Sequence, residues 1–300
     1  MALKDNMIGN KKIAELLERS YARDKMSHAY LFDGAEHIGK MTLALDFCRM
    51  VLEDPRQDIE KDPDVIFVSP IEDKKEIIVD QIRELEKNLS FSPYRAKYKV
   101  AVIDQAERMN EEASNALLKT LEEPGKTTIL ILLTSDSGRL LETIRSRCQI
   151  FKFLPVTKEE LRLRFKKEAA DEKDLETIME LSGYKPGKII DLIKNEDLKN
   201  ELVGELEYLS GISKRSNSER MEKAEAMSDY DEEKIVGLLD LWIFGFRKEL
   251  VSGYSMEKER KRSDIAEWAR KIHLIKKTKE DILTKNINLK LALENLILGI

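Results

Sequence analysis

The segment Gly34-Ala-Glu-His-Ile-Gly39-Lys40-Met41 sits between a short apolar run and a helical pattern. That placement and spacing suit a phosphate-binding loop. In a working loop of this kind, backbone N–H groups at a helix N-terminus cradle phosphates. A lysine holds the outer phosphates, and a Ser or Thr hydroxyl coordinates magnesium. Gly34, Gly39 and Lys40 are in place, but Met41 stands at the hydroxyl position. A thioether is a poor ligand for a hard cation. Thr42 is adjacent, yet one step along a helix turns a side chain by about 100°. The companion segment, Lys99-Val-Ala-Val-Ile-Asp104-Gln105, ends an apolar run with Asp104, which suits magnesium binding through water. The next position would carry the carboxylate that polarises attacking water. Gln105 offers a neutral amide there, a very poor general base. Glu107, two residues on, is expected to point elsewhere. The loop is therefore expected not to hydrolyse nucleotide, and binding without turnover stays open. Two glycines alone fit an ordinary strand–helix turn; the strand context and Asp104 favour the phosphate loop.

These groups need a sheet to hold them. Tyr30–Asp33, Asp64–Ser69, Tyr98–Asp104, Thr128–Thr134 and Gln149–Phe153 are short runs rich in Val, Ile and Leu, bounded by polar turns. Continuous apolar runs suit strands covered on both faces, as in a parallel sheet. Helical patterns alternate with them. Ile13, Leu16 and Leu17 follow an expected Asn10 cap. Leu43, Leu45, Phe47 and Val51 follow Lys40. Ile78, Ile82 and Leu85 mark a third helix, and Ala113, Ala116, Leu117 and Leu121 a fourth, stopped by Pro124-Gly125. The alternation predicts a doubly wound α/β domain over residues 1–155.

After Phe153 the strand signal stops. Pro155 marks a hinge, and Thr157 with Glu160 forms a capping box that opens a helix. Short helices over 156–208, broken at Ser182-Gly183 and near Pro186-Gly187, predict a small helical lid. Gly211–Ser218 reads as a polar loop, and 219–300 as helical throughout, so 209–300 is a larger helical domain. Leu238, Leu239, Leu241, Trp242 and Phe246 form one apolar stripe; Ile282, Leu283, Leu289, Leu293 and Leu296 form another. A bundle core accounts for most of them.

Composition narrows the function. The 300 residues are 42% hydrophobic and 36% charged, with net charge -5, so the chain as a whole is not a polycation built to grip nucleic acid. The basic stretches Lys258–Arg262 and Arg270–Lys277 have Glu257, Glu259 and Glu267 among or beside them, the pattern of a solvated face. Two cysteines, Cys48 and Cys148, build no disulfide framework and fit a reducing cytoplasm. The N-terminal stretch lacks a signal-peptide pattern and no apolar run suits a membrane span. The expectation is a cytoplasmic protein with no membrane partner. No paired aspartates suggest a polymerase metal site.

Four segments in order, His28-Ala-Tyr-Leu-Phe-Asp-Gly34, Asn115-Ala-Leu-Leu-Lys-Thr-Leu-Glu-Glu-Pro124, Arg145-Ser146-Arg147-Cys148 and Asn288-Leu-Lys-Leu-Ala-Leu-Glu-Asn295, carry a resemblance. Together they resemble the δ′ subunits of bacterial DNA polymerase III clamp loaders, an AAA+ family. The resemblance spans nearly the whole chain, and Asn115–Pro124 is its most specific part. It implies an AAA+ P-loop core, a lid and a C-terminal collar bundle. It also implies a heteropentamer with ATPase motor subunits and delta, acting on a sliding clamp and primed DNA during replication. In that family the arginine of Ser146-Arg147-Cys148 reaches the nucleotide of the adjacent subunit. A planar, permanently charged guanidinium suits that task. A surface ion pair is the plainer reading of Arg147, and Arg145 is a weaker candidate.

The resemblance places a polar γ-phosphate sensor at Thr134 and Ser135, and a lid cation at Lys188, for which a solvated helix position is an equal reading. Many members carry four zinc-binding cysteines after the P-loop helix. Cys48–Asp64 offers Cys48 alone, and His28, His37 and His273 have no matching spacing. No zinc and no other cofactor is expected. The expected role is a non-hydrolysing stator within a DNA polymerase holoenzyme. The alternatives are an active ATPase motor subunit of the same loader, against which Met41 and Gln105 stand, and a stand-alone nucleic-acid-binding module, which lacks an aromatic-plus-basic motif.

Overall fold

The computed structural model describes residues 3–56, 58–71, 75–255, 262–284 and 287–300. It divides into two compact units, residues 1–168 with 184–188 and residues 169–183 with 189–300.

The first unit is α/β. In chain order it runs α1 (Leu3–Asn6), α2 (Lys11–Ala22), β1 (Ala29–Asp33), α3 (Lys40–Leu52), β2 (Val65–Val68), α4 (Val79–Leu89), β3 (Lys99–Ile103), α5 (Glu111–Glu122), β4 (Thr128–Thr134), α6 (Glu142–Arg145), β5 (Gln149–Lys152) and α7 (Lys158–Phe165). The strands form one sheet in the order β2-β3-β4-β1-β5, every pair parallel. Each expected strand is present, with ends shifted by one residue at most. Parallel neighbours need crossovers, and the helices between strands supply them.

Strand side chains alternate faces, so two cores form. Tyr30, Phe32, Val100, Val102, Ile131 and Leu133 pack with α2 and α3. Leu31, Ala101, Ile103, Leu130 and Leu132 pack with α4 and α5. All seven residues of β4 are buried, which is why Ile129–Leu133 is an unbroken apolar run between two threonines. Burial of each large side chain is worth about 1.5–3 kcal/mol. The tips of β1 and β4 are neighbours in register, Asp33 opposite Thr134. The chain leaves β1 towards one edge of the sheet and β4 towards the other, the crevice where open α/β sheets place ligands.

Asn10 does not cap α2 as expected. Its backbone is left-handed, with φ 51°, and its side chain makes no cap bond. The amide instead clips the exit of β5, donating to the Leu154 carbonyl (3.0 Å) and accepting from the Leu154 N–H (2.8 Å). Leu16, placed on the apolar face of α2, is half exposed, while Ile13 and Leu17 are buried. Thr157 and Glu160 do form the capping box of α7.

The second unit is helical: α8 (Glu172–Leu181), α9 (Pro186–Lys194), whose first residues belong to the first unit, α10 (Glu196–Ser210), α11 (Asn217–Ser228), α12 (Glu232–Ser255), α13 (Arg262–Thr284) and α14 (Leu289–Gly299). Pro186-Gly187 starts a helix rather than breaking one, because proline at the first helical position needs no N–H partner. Gly211–Ser218 is a short turn of 3-10 helix followed by Ser216, which caps α11. Ile235, Leu238, Leu239, Trp242 and Phe246 share a core with Ile282, Leu293 and Leu296. Leu283 departs from that stripe and is exposed. The basic stretch Arg270–Lys277 is no solvated face throughout: Lys271 is buried and pairs with Glu267 at 2.8 Å. The run Lys258–Arg262 lies outside the residues whose side chains are described. Among the described residues, no helix is long and apolar enough to cross a membrane.

Candidate functional site

The phosphate-type loop leaves β1 at Gly34 and enters α3 at Lys40. A Cβ on Gly34 would meet the Phe153 carbonyl oxygen at 2.7 Å, so no other residue fits without a backbone shift. Gly39 has φ 99°, a conformation that favours glycine. The Gly34 N–H donates to the Thr134 carbonyl (3.2 Å), and the Gly187 N–H donates to the His37 carbonyl (3.0 Å). The loop is thus held by the tip of β4 and the start of α9. Lys40 is 9% exposed. Its ammonium donates to two carbonyls of its own loop, Gly34 and Ala35, the latter at 2.8 Å. Burial pushes the Lys40 amine below its usual range, opposed by Glu107, Glu36, Asp104 and Asp33. One ammonium therefore sits in the field of four carboxylates. Met41 packs half-buried against the core shared by α2 and α3, and Thr42 is exposed.

Asp104 follows β3, and its N–H donates to the Val68 carbonyl (2.8 Å). Burial holds its carboxyl above the ordinary value, partly offset by the Gln105 N–H and by Lys40. Gln105 adopts a left-handed backbone, φ 49°, at the entrance to a turn of 3-10 helix over Ala106–Arg108. That turn redirects Glu107. Its carboxylate accepts from the Ser135 N–H (3.0 Å) and from the Ser135 hydroxyl, just beyond β4. Burial pushes Glu107 up, but hydrogen bonds from Ser135, its own backbone and Thr134 together outweigh it, and its carboxyl lies below the usual range. The Thr134 hydroxyl accepts from the Asp136 N–H (3.2 Å). The structure brings Gly34, Gly39, Lys40, Met41, Asp104 and Gln105 to one end of the sheet, and adds Glu107 and Ser135. The signal for Glu107 was an acid just past a strand tip; its direction depended on the turn.

Ser146, Arg147 and Cys148 lie elsewhere in the unit, between α6 and β5. Arg147 donates from Nη1 to the Thr143 carbonyl (2.9 Å) and from Nη2 to Glu122 Oε1 (2.8 Å). The Ser146 hydroxyl donates to the same Thr143 carbonyl (3.1 Å). Cys148 packs against the α4–α5 core, and burial raises its thiol to about 12. Cys48 is fully buried, with its thiol also raised to about 12 by burial. Neither is an available thiolate near neutral pH.

The stretch after α3 is closed by charge. The Asp64 carboxylate, fully buried, accepts from the backbone N–H groups of Tyr94 (2.5 Å), Arg95 (2.9 Å) and Ala96 (3.0 Å). Asp62 and Asp54 each pair with both Arg56 and Arg95. Among the described residues, no group of three or more His, Cys, Asp or Glu is arranged to hold a metal ion.

Residues 9–157 match the protein family described as DNA polymerase III, delta subunit. The DNA polymerase III subunit delta′ of Bacillus subtilis is 35% identical over 158 residues, covering 48% of this chain and 47% of that protein. The DNA polymerase III subunit gamma of Buchnera aphidicola is 30% identical over 206 residues, covering 62% of this chain and 55% of that protein. The likeness to these DNA polymerase III subunits is centred on the α/β half of the chain. The chain spans about half the length of the curated relatives just named. In fold, this chain is similar to a DNA polymerase III gamma subunit-related protein of Thermotoga maritima, with TM-score 0.56, 22% identity, and coverage of 94% of this chain and 97% of the other. The fold is a five-stranded parallel α/β unit with helical additions.

Proposed function

We propose that this chain is a delta-prime subunit, a non-hydrolysing stator of a DNA polymerase III clamp loader, which lends Arg147 to the ATP site of a neighbouring motor subunit. The partners on this reading are motor subunits and delta in a heteropentamer, with a sliding clamp and primed DNA reached through the complex. Residues 1–155 would serve as the ATPase-like lobe, 156–208 as the lid and 209–300 as the collar. No zinc or other cofactor is required, and the ion cluster around Asp54, Asp62, Arg56 and Arg95 supports that reading of the segment after α3.

The observation that carries the proposal is the make-up of the pocket. Lys40 is bonded to its own loop and faces four carboxylates, while Met41 and Gln105 stand where a metal-binding hydroxyl and a water-polarising carboxylate would be needed. A triphosphate entering without magnesium would meet net negative charge, and the loop lacks the hydroxyl that would bring magnesium. At the other site, a guanidinium in trans is worth roughly 10³–10⁵ in rate where such groups act on phosphoryl transfer. The test is a loader reconstituted with Arg147→Ala. Clamp- and DNA-stimulated ATP turnover should collapse with assembly intact; unchanged turnover removes the trans role.

The likeness to a gamma subunit over 206 residues favours a second reading, an active motor subunit. Magnesium-dependent ATP turnover by the purified chain alone would establish it and overturn the first.

A further inference from the structure

We infer that Glu122 is the positioning residue for Arg147, an inference that rests on the trans-arginine reading above. The two side chains are far apart in sequence but are joined by one surface ion pair whose backbones are anchored in the core. Glu122 is the last residue of α5 and follows Leu121, which is 2% exposed. Arg147 lies between Ile144, fully buried, and Cys148, and all three neighbours pack in the same core. The backbones that carry the pair are thus set by the interior, not by the surface.

Within that frame the guanidinium is held at two points. Nη1 donates to the Thr143 carbonyl at 2.9 Å and Nη2 to Glu122 at 2.8 Å. Arginine has five N–H donors, so three remain for another acceptor. The Arg147 side chain is 35% exposed, enough to be met from outside, and Glu122 is 53% exposed. An unanchored arginine has rotamer entropy to lose when it engages a phosphate. Glu122 takes up part of that ordering beforehand, which is how preorganised groups stabilise developing charge. Glu122 also offsets some of the positive field that would draw in the nucleotide. Its removal should therefore lower the chemical rate without weakening the neighbour's hold on ATP.

The experiment compares Glu122→Gln, Arg147→Ala and the double variant in the reconstituted loader, with kcat and KM for ATP measured under clamp and DNA stimulation. Glu122→Gln should lower kcat roughly two- to five-fold, the scale of one exposed ion pair, with KM unchanged or lower. In the Arg147→Ala background the same change should do nothing further. NMR relaxation of the Arg147 Nε–H in the isolated chain should show an ordered group that loosens in Glu122→Gln. A drop with Arg147→Ala but none with Glu122→Gln, an additive loss in the double variant, or unaltered Arg147 order would each overturn the positioning role and leave the trans arginine standing. No loss with either single variant would overturn both.

Discussion

Two places in the α/β unit hold a cation among acids, and they use it oppositely. At the tips of β1, β3 and β4, Lys40 is nearly buried and spends its hydrogen bonds on Gly34 and Ala35. At the edge formed by α5 and α6, Arg147 is a third exposed and keeps three donors after pairing with Thr143 and Glu122. The first arrangement is turned inward. The second is aimed outward. A group intended to meet another molecule must be both accessible and only partly satisfied, and only Arg147 of the two meets both conditions.

The strongest way to break this contrast is to delete each cation in turn within an assembled loader. Arg147→Ala should reduce turnover at the adjacent site about 10³-fold or more. Lys40→Ala should leave turnover of the whole assembly within about two-fold, since no transition-state contact is lost. Steady-state ATPase assays with matched assembly checks read both.

A smaller effect is expected from repairing the inward site. Met41→Thr with Gln105→Glu restores a metal-binding hydroxyl and an acid. Titration with a fluorescent ATP analogue should show magnesium-dependent affinity at least about ten-fold above the parent chain, the scale of one good ligand contact. No gain would mean that the carboxylates around Lys40, rather than the two missing groups, close the loop to nucleotide.

The smallest effect sharpens the electrostatics. Burial holds the Asp104 carboxyl above its ordinary value. The folded chain therefore binds that proton more tightly than the unfolded chain, and this group's contribution to stability falls as pH rises through the window from the ordinary carboxyl value to the raised one. Asp104→Asn should be more stable than the parent at pH 7. The gain should shrink as the pH drops below the ordinary carboxyl range. Urea unfolding at several pH values checks the sign; a gain independent of pH would point to packing instead.

Sequence legibility differed between the two sites for a physical reason. The phosphate-type loop is local: Gly34 to Met41 is one turn from strand to helix, so residue type and spacing describe its chemistry. Asp104 was legible because strand tips share one end of a parallel sheet. Glu107 was not, since the left-handed Gln105 and the turn after it set its direction. Glu122 sat in view inside Asn115–Pro124, but nothing in that motif pairs it with a residue beyond the next strand. Asn10 shows the same limit, its side chain having exchanged a local cap for a bond to Leu154.

Apolar periodicity by itself determined the five strands, the helices that connect them and the change to helices alone after Phe153, because burial on one face or both is written along the chain. It also determined which chemical groups the loop lacks. Tertiary structure alone decided where the charges were spent: Lys40 on its own loop, Glu107 on Ser135, and Glu122 on Arg147. Such pairings depend on the register in which strands and helices pack, and a hydrogen bond reaches only about 3 Å, so a one-residue shift in that register would have spent them differently.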